Sequence, residues 1–303
     1  MLFIASKYVR SVLGQPRLAT APADLTALEA NWTFRSSRSS LMSAIKRMRT
    51  AVQRCPAPAV ITLKPVAPRD RWIAYFIYLP DGVLTAAHRF TLSRLHEDGG
   101  SGTMIICATP SVHDVPDELV FMADALYWKA LPGFDFSAYT LAISEIAILS
   151  TGADLLLIND SVFGPFQSIS SLWPQMDWDL TGFTASGQVQ NHIQSYAFCL
   201  KNVDQHKLVA LGSIFPRSFS YNNYQSVVAR QELQMGEVAA RTMSVGALWY
   251  AKPSKCADPS LFAALPLVKK GFPFLKRALL TKHAGIYTND QIIGFLRSMS
   301  HPI

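Results

Sequence analysis

The chain has 303 residues, 50% of them hydrophobic, and carries 28 Lys and Arg against 21 Asp and Glu for a formal net charge of +7. That length can bury a sizeable core in one large domain, with or without an extension, and the mean hydropathy of +0.17 is rather apolar for a soluble protein. No run of about 18 apolar residues occurs, which excludes a hydrophobic bilayer-spanning helix, and Met1 to Leu13 carries Lys7 and Arg10 but no small-residue cleavage site, so no secretory signal is expected.

Residues 1–68 read as a helical, basic N-terminal extension. Leu41, Ile45 and Met48 recur at helical spacing with a basic face opposite, and Pro56-Ala57-Pro58 forbids that helix from continuing. Its apolar stripe is narrow, which favours docking on the main domain over lying in a membrane interface. Arg35, Arg38, Lys46, Arg47, Arg49 and Arg54 are interrupted by no acid.

Residues 69–303 form the main unit, where strands and helices alternate. Trp72–Tyr78 reads as a strand, Val83–Glu97 as a helix, Gly102–Ala108 and Ala125–Lys129 as strands, and Phe136–Leu149 as a helix. Leu155-Leu156-Leu157-Ile158 follows, four aliphatic residues that stop on Asn159-Asp160-Ser161 and then Gly164-Pro165. An apolar run of this kind suits a strand buried on both faces, and the alternation predicts an α/β fold with a mostly parallel central sheet and right-handed crossovers. Ligands of such sheets bind beyond the carboxyl ends of the strands, where Asn159, Asp160 and Ser161 would sit; an ordinary capped turn is the alternative. Further strands are expected at Trp178–Phe183 and Gln194–Leu200, followed by a helix-rich tail over Tyr224–Ala240 and Leu261–Leu280.

Cys55, Cys107, Cys199 and Cys256 are far apart and have neither Cys-x-x-Cys nor zinc spacing, as in a reduced cytoplasmic protein. A second basic run, Lys269, Lys270, Lys276, Arg277 and Lys282, would suit phosphate or an anionic membrane surface. Neither run has the aromatic interleaving of single-strand nucleic-acid binders, which argues against that partner.

Five phrases in the same order resemble those of one family. They are Gly133-Phe134-Asp135-Phe136-Ser137-Ala138-Tyr139, Asn159-Asp160-Ser161-x-x-Gly164-Pro165, Thr181-Gly182-Phe183-Thr184, His192-Ile193-Gln194-Ser195-Tyr196 and Pro273-Phe274-Leu275-Lys276-Arg277. Together they are similar to the rhamnan synthesis protein F family of bacterial polysaccharide glycosyltransferases, over about Trp72 to Leu280. The resemblance implies a glycosyltransferase fold of GT-A type and transfer from a nucleotide-sugar donor, with rhamnose from dTDP-rhamnose as one such donor and inversion at the sugar carbon. A growing cell-surface polysaccharide or lipid-linked glycan would be the acceptor, and the protein would be cytoplasmic or peripheral at the inner membrane face.

The resemblance also assigns roles. Lys129 and Asp135 would face the donor, although the family's Arg-x-Asn before the glycine is replaced here by Lys129-Ala130-Leu131-Pro132. Asp135 reads equally well as a helix N-cap. Many GT-A enzymes hold Mg²⁺ or Mn²⁺ with Asp-x-Asp at a strand end; Asn159-Asp160-Ser161 offers one carboxylate, Asp160, which can suffice together with diphosphate oxygens and waters. Glu232 aligns with a Tyr-Glu of the family, and with Asp179 and His192 it is a candidate base for the acceptor hydroxyl. Gln194 and Ser195 would line the donor cleft beside His192, and Lys276 and Arg277 would contact donor phosphate or acceptor pyrophosphate. The rival reading is a non-catalytic GT-A-like module that binds nucleotide or glycan within an assembly. The single strand-end carboxylate favours that rival.

Overall fold

The structure, a computed structural model, describes residues 22–37, 54–252 and 254–303. In chain order its main elements are β1 (Leu28–Thr33), β2 (Arg54–Pro56), β3 (Val60–Lys64), β4 (Arg71–Tyr78), α1 (Ala86–Glu97), β5 (Gly102–Ala108), β6 (Ala125–Lys129), α2 (Phe134–Leu149), β7 (Ala153–Asn159) and β8 (Val162–Phe163). Then come β9 (Leu180–Ser186), β10 (His192–Ile193), β11 (Ala197–Val203), β12 (Phe219–Tyr221), α3 (Leu233–Ala239), β13 (Val245–Ala251), β14 (Leu275–Lys276) and α4 (Asn289–Ser298).

The central sheet runs β1-β13-β9-β11-β7-β4-β5-β6-β3, with β10 added to β9. β7, β4, β5 and β6 are mutually parallel, and β9 and β13 run the same way because β11 lies antiparallel between β7 and β9. The sheet is therefore mostly parallel and flanked by helices, as the alternation predicts.

Alternate side chains of the parallel strands divide the core in two, because successive residues of a strand point to opposite faces. Trp72, Ala74, Phe76, Met104, Ile106, Leu155 and Leu157 pack on the α2 side. Ile73, Tyr75, Ile77, Ile105, Cys107, Leu156 and Ile158 pack on the other side, under α1 and the C-terminal segments. Both faces are dry, which is why these strands read as unbroken apolar runs.

Three expectations need correction. Among the described residues, 22–37 and 54–68 are not a helical extension: β1 pairs with β13, β3 pairs with β6, and both belong to the main sheet. Trp32 anchors β1, stacking on Tyr250 with ring centroids 4.3 Å apart, so the unit does not begin at residue 69. The expected helix over Leu41–Met48, with Arg38, Lys46, Arg47 and Arg49, lies outside the described residues.

Leu261–Leu280 is not one helix. Short helices at Pro259–Phe262 and Ala264–Lys269 give way to β14 and a 3-10 turn at Arg277–Leu280, since Gly271 at φ +101° and Pro273 end the helical run. The strand expected from Gln194 begins only at Ala197, because Ser195 and Tyr196 form a turn between β10 and β11.

Candidate functional site

A cavity of about 750 Å³ opens beyond the carboxyl ends of β4 and β7, and Asp135, Asn159, Asp160, Ser161, His192, Gln194, Ser195, Glu232 and Lys276 all line it. The residues proposed from sequence are thus largely brought together, as the strand-end rule for open α/β sheets expects.

Asn159 closes β7 and uses both ends of its amide internally. Its oxygen accepts from the Ser161 N–H at 3.1 Å and from the Ser161 hydroxyl, while its Nδ2 donates to Asp135 Oδ2 at 2.8 Å. Asp135 lies in the first turn of α2, where it is not the N-cap: that position belongs to Gly133, which has no side chain to cap with. Gly133 at φ +95° and Phe134 at φ +51° are both left-handed, and a Cβ on Gly133 would come within 2.9 Å of the Ser137 and Ser220 side chains. A bulky residue at positive φ is strained, and here the bend aims the start of α2 into the cavity. Burial, and then the neighbouring charge of Glu232, push the Asp135 carboxyl up to about 6, against the opposing bond from Asn159.

Glu232 ends a π-helical turn, Val228–Glu232, that runs into α3. Such turns are frequent at functional sites. Its Oε1 accepts from the Ser195 N–H at 3.2 Å and from the Ser195 hydroxyl at 3.1 Å.

Asp160 Oδ2 accepts from the Tyr78 N–H at 2.9 Å and stands 3.8 Å from His88 Nε2. Burial raises the pKa of Asp160, while the Tyr78 amide and the Arg277 guanidinium oppose that rise. Burial also lowers His88, with the Arg277 charge adding to it, to about 4.

His192, Gln194 and Ser195 share the cavity with Asp160 because the turn at Ser195 breaks the strand alternation. His192 Nδ1 is bonded to the Gln190 carbonyl oxygen at 2.9 Å. Gln194 Oε1 accepts from the Thr184 hydroxyl at 2.6 Å, and Thr184 is 2.7 Å from the Tyr196 hydroxyl. The Tyr196 ring carries the Lys276 ammonium 3.9 Å from its centroid. Burial pulls Lys276 down to about 8, while Asp258, Glu232 and Asp135 favour its charged form and Lys282 opposes it.

Three proposed residues are placed elsewhere. Asp179 precedes β9 at the opposite end of the sheet, roughly 20 Å of strand away. There it pairs with Lys207 at 2.8 Å and accepts from the Ser244 N–H and hydroxyl. Burial would raise its pKa, but those bonds prevail and hold it near 2, so it is a structural anion and no base for the acceptor. Lys129 is fully buried and donates to the Ala130 and Pro132 carbonyls, both at 2.9 Å, so it props the loop before α2 and does not reach the donor. Arg277 is half-buried, with Nε donating to the Val162 carbonyl at 3.3 Å and the guanidinium 5.2 Å from the Phe163 centroid. It does not line the cavity, and its charge acts on Asp160, so it is not placed as a phosphate contact.

The cavity also holds residues that the motifs do not single out. Asp258, Lys282, His283 and the exposed ring of Tyr224 line it. Asp258-Pro259 reads in sequence as an ordinary helix start, and Asp258 does cap that helix, accepting from the Leu261 N–H at 3.2 Å. Lys282 stands in the basic run, but nothing in the run indicates that His283 joins it at a cavity wall.

The donors at the strand end do not suit a resident divalent cation. The amide of Asn159 is spent on Ser161 and Asp135, and one oxygen of Asp160 is spent on Tyr78. Among the described residues no group of three His, Cys, Asp or Glu side chains is placed to hold a metal, and no helix is long and apolar enough to cross a membrane.

Among solved structures, the chain is similar to HddC from Yersinia pseudotuberculosis at 11% identity, covering 58% of this chain and 89% of that one with a TM-score of 0.37. It is also similar to 4-diphosphocytidyl-2C-methyl-D-erythritol synthase from Anaerococcus prevotii (10% identity, 66% and 97% covered, TM-score 0.35). A candidate nucleotide-diphospho-sugar transferase from Desulfovibrio desulfuricans gives 12% identity, 76% and 96% covered, and a TM-score of 0.36. No curated protein matches the sequence. The rhamnan synthesis protein F family matches residues 103–298, a stretch that contains Asp135, Asn159, Asp160, Ser195, Glu232 and Lys276. The segment that builds most of the cavity is thus the segment that carries the family signature, and the chain belongs to the rhamnan synthesis protein F family.

Proposed function

We propose that the cavity is the active site of a GT-A-like glycosyltransferase that moves a hexose from a nucleoside-diphosphate donor to a hydroxyl of a growing cell-surface glycan. The observation that carries this reading is the opening of the strand-end pair Asn159–Asp160 and the Ser195–Glu232 pair into one cavity. The acceptor oxygen attacks the anomeric carbon from the side opposite the diphosphate, and the bond from that carbon to the phosphate oxygen breaks. Its electron pair leaves with the diphosphate while the hydroxyl proton passes to the Glu232 carboxylate, so the anomeric centre inverts.

dTDP-rhamnose is the first donor to try, given the family. The acceptor in this reading is a lipid-linked glycan at the inner membrane face, which exposed Lys269 and Lys270 would favour by attraction to anionic headgroups.

Incubation with a panel of nucleotide sugars should give slow donor hydrolysis, and transfer once the acceptor is supplied. Glu232→Gln should lose most of both activities. Donor binding without turnover by the wild type would instead support a non-catalytic binding module, the reading that the single strand-end carboxylate favours.

A further inference from the structure

We infer that the donor's diphosphate is held by the ammonium groups of Lys276 and Lys282, with the His283 imidazole beside them and no divalent cation between it and the strand end. The inference rests on the nucleotide-sugar reading and deepens it. A departing diphosphate needs positive charge fixed beside it before the bond breaks, because preorganised charge costs no rearrangement at the moment of reaction. A divalent cation supplies that charge only where oxygens are free to ligate it, and at the strand end Asn159 Oδ1 already accepts from Ser161 and one Asp160 oxygen already accepts from the Tyr78 N–H.

The facing wall has the complementary character. Lys276, Lys282 and His283 line the same cavity, and neither lysine is ion-paired among the described residues. Lys276 is also tied to the strand-end loop: β14 pairs with β8 in the register Lys276↔Val162, and the Arg277 N–H donates to the Ser161 carbonyl at 2.9 Å. Neighbouring strands lie about 5 Å apart, so the ammonium reaches the space just beyond Asp160, where the reading puts the phosphates.

The support beneath Lys276 is fixed as well. The ring of Tyr196 underlies it, the Tyr196 hydroxyl is bonded to Thr184, and Gln194 extends that network to Ser260, whose hydroxyl donates to Asp258 at 2.7 Å. Asp258 in turn favours the charged form of Lys276, so the wall keeps its cation until an anion arrives. On departure, the electron pair of the broken carbon–oxygen bond rests on a phosphate oxygen that accepts from Lys276 Nζ, a charge-assisted bond in a partly dry site.

The test is calorimetric titration of the full chain with uridine, thymidine and guanosine diphosphates and with inorganic pyrophosphate, in EDTA, in Mg²⁺ and in Mn²⁺. One or more nucleoside diphosphates should bind in EDTA about as tightly as with either cation. Lys276→Gln and Lys282→Gln should each weaken binding about tenfold or more, Lys276→Arg should keep most of it, and the exposed control Arg297→Gln should not change it. Thermal midpoints identify any variant that fails to fold, and the EDTA comparison on the wild type stands without the variants. Binding that needs Mg²⁺ or Mn²⁺ and is indifferent to both lysines would overturn the inference and leave the nucleotide-sugar reading standing. No binding of any nucleoside diphosphate under any condition would remove that reading, and the inference with it.

Discussion

Glu232 and Ser195, 37 residues apart in the chain, are joined twice: one carboxylate oxygen accepts both the backbone N–H and the hydroxyl of the serine, at 3.2 and 3.1 Å. The pair ties the π-helical turn before α3 to the turn between β10 and β11, so the carboxylate held on one element is aimed by the other. Glu232→Gln keeps the shape and the bonds but cannot take a proton. Its kcat should fall by roughly 10²–10⁴-fold with the donor KM little changed. Ser195→Ala should cost less, and Asp179→Asn should leave kcat untouched, because Asp179 lies at the other end of β9. Steady-state rates on the best donor of the panel check all three.

Asp135 should make the protein less stable as pH rises. Its folded pKa of about 6 lies above the ordinary 3.8, so its contribution is fully present below about pH 4 and is lost as pH rises through 6. Asp135→Asn keeps an acceptor for Asn159 and removes that titration. The stability of the variant relative to wild type should therefore grow between pH 4 and pH 7, by on the order of 2 kcal/mol. Denaturant unfolding at a series of pH values measures the difference, and a constant gap would contradict it.

Diphosphate binding should weaken above pH 8. Lys276 loses its proton near there because burial opposes its charge, with Lys282 adding to that, even though Asp258, Glu232 and Asp135 favour the charged form. Between pH 7 and pH 9.5 the wild-type affinity for a nucleoside diphosphate should drop by about tenfold, one charge-assisted bond's worth. Lys276→Arg should flatten that profile, since a guanidinium stays charged throughout. A bound anion raises the lysine's pKa, so the transition in the complex should lie above that of the free protein.

Asp160 should matter to stability as well as to the cavity. His88 Nε2 stands 3.8 Å from it, the Arg277 charge acts on it, and the Tyr78 amide depends on its oxygen. Asp160→Ala leaves that amide and the guanidinium uncompensated and should cost about 1–3 kcal/mol, whereas Asp160→Asn should cost less. Arg277→Met combined with Asp160→Ala should be less damaging than the two single changes added together. Additive losses in a thermal-unfolding cycle would separate Arg277 from Asp160.

The parallel half of the sheet is legible in the sequence because its signal is local. Trp72–Tyr78, Gly102–Ala108, Ala125–Lys129 and Leu155–Asn159 are apolar on both faces, and only a strand covered on both sides tolerates that. The polar stop at Asn159-Asp160-Ser161 and the five family phrases likewise lie in short contiguous stretches, so the position of the cleft and most of its wall follow from them. The edge strands do not announce themselves. β3 is exposed at every residue and β1 has one buried residue, Trp32, so neither carries an apolar period, and both are held in place by their pairing with β6 and β13. Charge gives even less indication in sequence, since Lys129, Arg277, Asp179 and Lys276 look alike as isolated charges near motifs. Only the tertiary structure separates them: a buried prop, a half-buried guanidinium that does not line the cavity, an ion pair at the far end of the sheet, and one ammonium over Tyr196 inside the cavity. A charged side chain's role depends on which distant segments surround it and how far they exclude water, and neighbours along the chain do not encode that.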